Sequence, residues 1–587
     1  MMRSRISSMS FVLFAAALAA AADGGQQGEG WPQWGQNPQH TGAAANPGQP
    51  VTSILTSLVY DQCATQEQND PLSGGTLRVR YQAPLIDAGV DGDPVYMELK
   101  TGTYTSLATW ETQTWNEQRL DWHHGSLVRT WAFQTDWKPI PYSPLAVGPG
   151  WEPVFHAAVA GDFVYVPGFG GSVYKLSKRD GSLVAHIRPF GSSVHPNIFL
   201  TGPITVDPAG NVYFLATQLD PHNPWTVDDV NSWVVKVDDD GRVRKATFAS
   251  LTHGAPRGNE RCPGTFDLDH TPLPWPPSPD AVPPTTRCGS QRAAMNSAPA
   301  VAPDGTIYVA SVAHLTSRTA YLLAINPDLS PKWKASLRER FHDGCNVLIP
   351  PNGTLGGCAA GAHTGVDPAE NRPGSGRILE NSTASPVVAP DGSIFYGTFT
   401  RYNYAQGHLM KFSPSGKYLA GFLFGWDDTP AIYSHGGTYS VITKNNHYGG
   451  VGSYCDDNRL CPPVRAAADP ESYFITQLSS NLVPEWSYQN TNMLSCTRGS
   501  DGTVTCISDH PNGFEWCVNA PAVDSHGVVY ANSEDGNLYV INQGGGLRTD
   551  PLFLNLAIGA AYTPISISPD GKIFTENFGT LFVVGRH

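Results

Sequence analysis

The sequence predicts an all-β fold: an eight-bladed β-propeller of four-stranded antiparallel blades, closed by an N-terminal strand that completes the last blade. Three observations predict it. The 587 residues include 60 glycines and 49 prolines but only 15% charged residues, a turn-rich composition without a long amphipathic helical stretch. A pattern of strand, turn, strand, loop, strand, turn recurs eight times. The eighth copy ends at His587 after its third strand, while an unpaired apolar run, residues 51–60, precedes the first complete copy.

Taken in order, residues 1–22 read as a secretory leader. Arg3 and Arg5 form a positive start, residues 11–22 an apolar stretch, and small residues stand at 20–22 for cleavage. An uncleaved anchor is the alternative, although the stretch is shorter than the about 20 apolar residues of a membrane span. No later segment is expected to span a bilayer as a helix. Residues 23–50 form a polar linker and a Trp-rich lead-in, and residues 51–587 form the repeats.

The repeat aligns on a small residue or proline that begins each first strand: Pro84, Ala158, Pro203, Pro299, Pro386, Pro430, Pro521 and Pro564. A turn follows, such as Pro303-Asp-Gly305 or Pro569-Asp-Gly571, in which proline presets φ and glycine accepts a positive φ. Then comes a Val/Ile-Tyr/Phe pair, as in Val95-Tyr96, Val212-Tyr213, Ile307-Tyr308 and Ile573-Phe574. One such unit cannot bury both faces. Eight in a circle can, and the circle exposes no terminal unit. Residues 51–60 are the natural donor of the missing fourth strand, which would place both chain ends in one blade.

The lead-in reads Trp31-Pro-Gln-Trp34-Gly-Gln-Asn37-Pro-Gln-His40-Thr-Gly42. This segment and the repeats after it resemble the PQQ-like β-propeller repeat proteins of the quinoprotein alcohol dehydrogenase-like superfamily. The resemblance implies either of two roles. One is a PQQ- and calcium-dependent dehydrogenase, with the quinone on the propeller axis over a tryptophan. The other is a scaffold without cofactor. The adjacent-cysteine disulfide and haem motif of many such dehydrogenases are absent, and their metal-ligand and base segments have no residue-by-residue match.

Ten cysteines in an exported chain suggest disulfides. Nearest-neighbour pairing gives Cys262–Cys288, Cys345–Cys358, Cys455–Cys461 and Cys496–Cys506. Cys63 and Cys517 remain, and a bond between them would staple the ring closure, with roughly 5 kcal/mol from so long a loop. The proposed short bridges fall in insertions at 252–295, 338–381, 445–471 and 491–516. In a propeller these inter-blade and second-to-third-strand loops emerge on one face, a natural place for function.

The formal charge of −14 argues against a nucleic-acid partner, since phosphate binding needs a basic surface. HExxH, GxSxG, P-loop and EF-hand motifs are absent, and no metal site is assigned. The candidate ligand residues come from the repeat. Two positions before each aligned residue the chain should face the channel mouth: Gln82, His156, Thr201, Ser297, Ala384, Asp428, Asn519 and Tyr562. Asn296, Trp426 and Asp427 stand beside them. Polar groups converging on a concave site are the usual pocket pattern, and His156 with Asp428 would make a base and partner if they met. The reading is a monomeric, periplasmic or secreted propeller that binds a small molecule or protein through its loop-covered face. Catalytic residues are unassigned, and PQQ with calcium is the cofactor only under the dehydrogenase alternative.

Overall fold

The computed structural model describes residues 30–71, 83–87, 93–106, 113–141, 154–263, 285–337, 366–367, 372–373, 378, 382–400, 406–425, 428–447, 471–516, 520–559 and 564–586. Eight antiparallel sheets form the blades of a propeller. Blade 1 is built from Leu85–Ile86, Val95–Gly102, Gln113–His123 and Ser126–Gln134. Blade 8 takes Ser566–Ile567, Ile573–Asn577 and Thr580–Gly585 from the C-terminus and Ser53–Val59 from the N-terminal side. Ser53–Val59 pairs antiparallel with Thr580–Gly585, from Ser53 opposite Gly585 to Val59 opposite Thr580. The ring is thus closed by the strand exchange that the truncated eighth repeat demands. α-Helix among the described residues is limited to Ala64–Gln68 and Phe248–Leu251.

Strand pairing fixes which residues are equivalent around the axis. The innermost strands place Ile86, Val159, Val206, Val301, Val388, Ile432, Val523 and Ile567 opposite the second strands. Counted from the aligned residues, blades 1, 4, 5, 6 and 7 share one register. Blades 2, 3 and 8 slip by one residue. In blades 3 and 8 the text is Pro-Ile-Thr-Val206 and Pro-Ile-Ser-Ile567, one residue longer than Pro-Ala-Val301. A one-residue slip turns every side chain of a strand to its other face. His156 and Thr201 are therefore not equivalent to Ser297, which corrects the sequence alignment.

Blades pack face to face through apolar layers. Tyr96 and Trp115 of blade 1 meet Val164, Val166 and Leu176 of blade 2 in one such layer. Outer-strand tryptophans add a directed contact. Trp131 Nε1 donates to Lys178 O of blade 2 at 3.0 Å, and Trp333 Nε1 donates to Pro414 O of blade 5 at 2.8 Å. The indole of Trp333 lies over Gly416, where a Cβ would stand 2.7 Å from the ring and φ is +82°. Only glycine meets both conditions without strain.

Two of the expected disulfides are formed, Cys262–Cys288 and Cys496–Cys506. The latter joins directly opposed residues of the hairpin Leu494–Arg498 and Val504–Ser508. Cys63 corrects the expected bridge to Cys517: it is a buried free thiol whose Sγ lies 3.7 Å from Gly102 O. Cys345, Cys358, Cys455, Cys461 and Cys517 lie outside the described residues, as does the leader.

Candidate ligand site on the propeller axis

The lead-in does not stand apart from the ring. Residues 31–49 run around the inside of the channel as a strap and touch the inner strands of blades 1 to 7 in turn, then the turn that follows the inner strand of blade 8. Trp31 exchanges two backbone hydrogen bonds with Ile86 of blade 1, and Pro32 O accepts from Val159 of blade 2. The Gln33 amide takes the place of backbone, accepting from Val206 N at 2.7 Å and donating to Val206 O at 3.0 Å. Pro38 O, Gln39 O, Thr41 O and Gly42 O then accept from Val301, Val388, Ile432 and Val523 of blades 4 to 7. Asn46 Nδ2 and the Gln49 amide reach Ser568 O and Gly571 O of blade 8. Glycine is required at position 42: φ is +60° and a Cβ would lie 2.9 Å from Pro521 O. Prolines at 32 and 38 fit a segment that accepts hydrogen bonds through carbonyls and cannot form a regular strand.

Two strap side chains fill the axis. Trp34 is fully buried and packs on Val154, Ala298 and Ala520, from three different blades. His40 is fully buried, with Nδ1 donating to Pro386 O at 2.9 Å and Nε2 facing Thr205 Oγ1 at 3.4 Å. Burial lowers the His40 pKa to about 4, opposed by the Pro386 carbonyl and assisted by the nearby His156.

The sequence-derived candidates divide into three groups. Gln82, Trp426, Asp427, Asn519 and Tyr562 lie outside the described residues. His156 and Asp428 are described and buried, but they belong to blades 2 and 6, across the ring from each other, so they do not form a base and its partner. His156 Nδ1 donates to Ala157 O at 2.7 Å, and Nε2 accepts the Ala83 amide at 3.0 Å. Burial lowers its pKa to about 4, so it is a neutral clip between blades 1 and 2. Asp428 Oδ2 accepts from Thr443 Oγ1 of its own blade at 2.7 Å.

Asn296 and Ser297 form the third group. They sit where the inner strand of blade 4 is interrupted between Gln291–Ala293 and Ala300–Val301. Asn296 has φ +60°. Its amide donates to Thr201 O of blade 3 and its Nδ2 to Ser382 O, beside blade 5, at 3.0 Å. The next links are Ala298 N to Ser385 Oγ and Ser385 N to Thr429 Oγ1, both 2.9 Å. These buried polar residues thus form a belt that ties blades 3 to 6 together. Hydrogen-bonding capacity is left over at Trp34 Nε1, Thr201 Oγ1 and Ser297 Oγ, all buried without a partner among the described residues. Such groups call for ordered water or a ligand.

The axial role of Trp34 and His40 was missed at the sequence level. The available signal was a short segment with aromatic, histidine, proline and glycine residues that precedes a closed ring and has no strand partner of its own.

A calcium-held quinone is the group that the superfamily resemblance implies. The described axial groups are hydroxyls, an indole N–H, one amide, the Asp428 carboxylate and imidazoles already bonded to backbone. Among the described residues no group of three or more His, Cys, Asp or Glu is placed to hold a metal ion.

No family model matches the chain, and no curated protein matches it. Similar solved structures include a europium-containing methanol dehydrogenase, 11% identical with a TM-score of 0.46, covering 94% of this chain and 89% of that one. The quinohemoprotein alcohol dehydrogenase from Comamonas testosteroni is 12% identical with a TM-score of 0.49, covering 95% and 81%. BamB from Moraxella catarrhalis is 10% identical with a TM-score of 0.35, covering 92% and 100%. At these identities and TM-scores the likenesses carry no argument about activity, and the eight-bladed ring rests on the chain's own strand pairing.

Proposed function

We propose that the protein is an exported binding scaffold, a propeller whose strap closes one end of the channel so that a ligand or partner is met at the opposite, loop-bearing mouth. The observation that carries this reading is the state of the axial titratable groups. His40 and His156 are neutral and engaged with backbone, and Asp428 lies across the ring. What remains unsatisfied along the axis is buried hydrogen-bonding capacity at Trp34, Thr201 and Ser297, which suits holding water or a ligand better than moving a proton. Two disulfides fit a protein folded outside the reducing cytoplasm. No helix among the described residues is long and apolar enough to cross a membrane.

The test is to mix the purified protein with PQQ and calcium, follow quinone absorbance through size exclusion, and assay dye reduction with primary alcohols. The scaffold reading expects neither co-elution nor turnover. Stoichiometric quinone with alcohol-dependent dye reduction would replace it with the dehydrogenase reading.

A further inference from the structure

The strap also builds a cavity on the face opposite the mouth, where the inner strands of blades 1 to 3 end. It is an open depression of about 590 Å³ between residues 30–38 and those strand ends, a size ordinary for small-molecule sites. Pro32, Ile86, Val159 and Val206 give it apolar walls. Its polar groups are few. Lys178 Nζ pairs with Asp87 Oδ2 at 2.6 Å, so the ammonium is matched by one carboxylate. Asp207 also lines the cavity, but its oxygens are taken by the amides of Ala209 and Asn211, by Asn211 Nδ2 and by the Tyr213 hydroxyl.

Gln36 is the distinctive wall residue. It is 3% exposed and held at φ +74°, a left-handed conformation that is uncommon for a residue of its length and marks a constrained position. Its Nε2 donates to Gly30 O at 3.2 Å, while its Oε1 has no hydrogen-bond partner among the described residues. The cavity therefore offers an ammonium with N–H groups beyond its ion pair, a carboxylate, a free amide oxygen and aliphatic walls.

We propose that this cavity is a second binding site, for a neutral polyhydroxylated ligand such as a monosaccharide or short oligosaccharide. A hydroxyl both donates and accepts, so one ligand can accept from Lys178 and donate to Asp87 and Gln36 Oε1. The Lys178–Asp87 pair is matched, and the one carboxylate in excess, Asp207, is spent on neutral donors of its own turn and strand, so no unpaired charge faces a ligand. The C–H faces of a pyranose suit proline and aliphatic walls. The site lies at the other end of the inner strands from the mouth and stands or falls independently of the axial proposal.

Isothermal titration of the full-length protein with glucose, galactose, mannose, maltose and mannitol tests it, with sulfate and tetramethylammonium as charged controls. The expected result is saturable binding of at least one sugar or polyol. That binding should weaken by at least about tenfold, or 1.4 kcal/mol, in Lys178→Met and in Gln36→Asn. Asparagine tolerates left-handed φ, so Gln36→Asn keeps the strap intact, and it decides the matter if Lys178→Met unfolds. Failure of every panel member to bind the wild type overturns the proposal. Binding undiminished in Gln36→Asn, or a charged control bound more tightly than any sugar, also overturns it.

Discussion

His40 and His156 are held neutral inside the channel, each with its pKa lowered to about 4 by burial. Between pH 6.5 and about 4 the unfolded chain binds protons at these imidazoles that the folded chain does not. Their contribution to stability is full above pH 6.5 and is lost as pH falls to about 4, roughly 3 kcal/mol for each. Denaturant midpoints should drop steeply across that window, and His156→Gln should flatten the drop at some cost in stability at pH 7. An unchanged pH profile in that variant would mean that His156 is not held neutral. Asp229 acts with the opposite sign. Its carboxylate oxygens are buried without hydrogen-bond partners among the described residues. Burial raises its pKa to about 7, opposed by Arg292 and assisted by Asp228. The folded state therefore keeps a proton that the unfolded state loses above about pH 4, and stability falls as pH rises toward 7. Asp229→Asn should raise the melting temperature at pH 8 and leave it nearly unchanged at pH 4.

At the scale of elements, the strap and the outer-strand tryptophans carry the joints between blades. Trp34→Ala removes a fully buried indole that touches three blades and should cost about 3–5 kcal/mol in chemical denaturation. Trp333→Phe keeps most of the ring but loses the hydrogen bond to Pro414 O, a cost of about 1 kcal/mol. Gly416→Ala should cost more, because it meets both the indole and a positive φ. A Gly416→Ala protein as stable as wild type would contradict the docking geometry. The sequence made these elements legible to different depths. The closing strand was expected at 51–60 and forms at Ser53–Val59, because a repeat missing one strand has only one donor nearby. Five inner strands were in register; blades 3 and 8 slipped because their proline stands one residue farther from the pairing valine or isoleucine. The roles of His156 and Asn296 were not legible, since their partners lie in neighbouring blades. The strap was invisible as a strap, because its hydrogen bonds reach strands up to several hundred residues away and follow no local period.

For the whole molecule, closure depends on both chain ends. The antiparallel pairing of Ser53–Val59 with Thr580–Gly585 and the strap's contacts with every blade make residues 31–59 the segment whose loss should open the ring. Cys63 adds no covalent staple to this closure, so alkylation under denaturing, non-reducing conditions should label it, and only slowly in the folded protein, where it is 2% exposed. The measurement that tests the strapped ring most directly is hydrogen exchange at the inner-strand amides of Val159, Val301, Val388, Ile432 and Val523, each donated to a strap carbonyl. They should exchange only through global unfolding in the wild type and become fast when residues 30–49 are deleted. Rapid exchange at these amides in the intact protein would contradict the account.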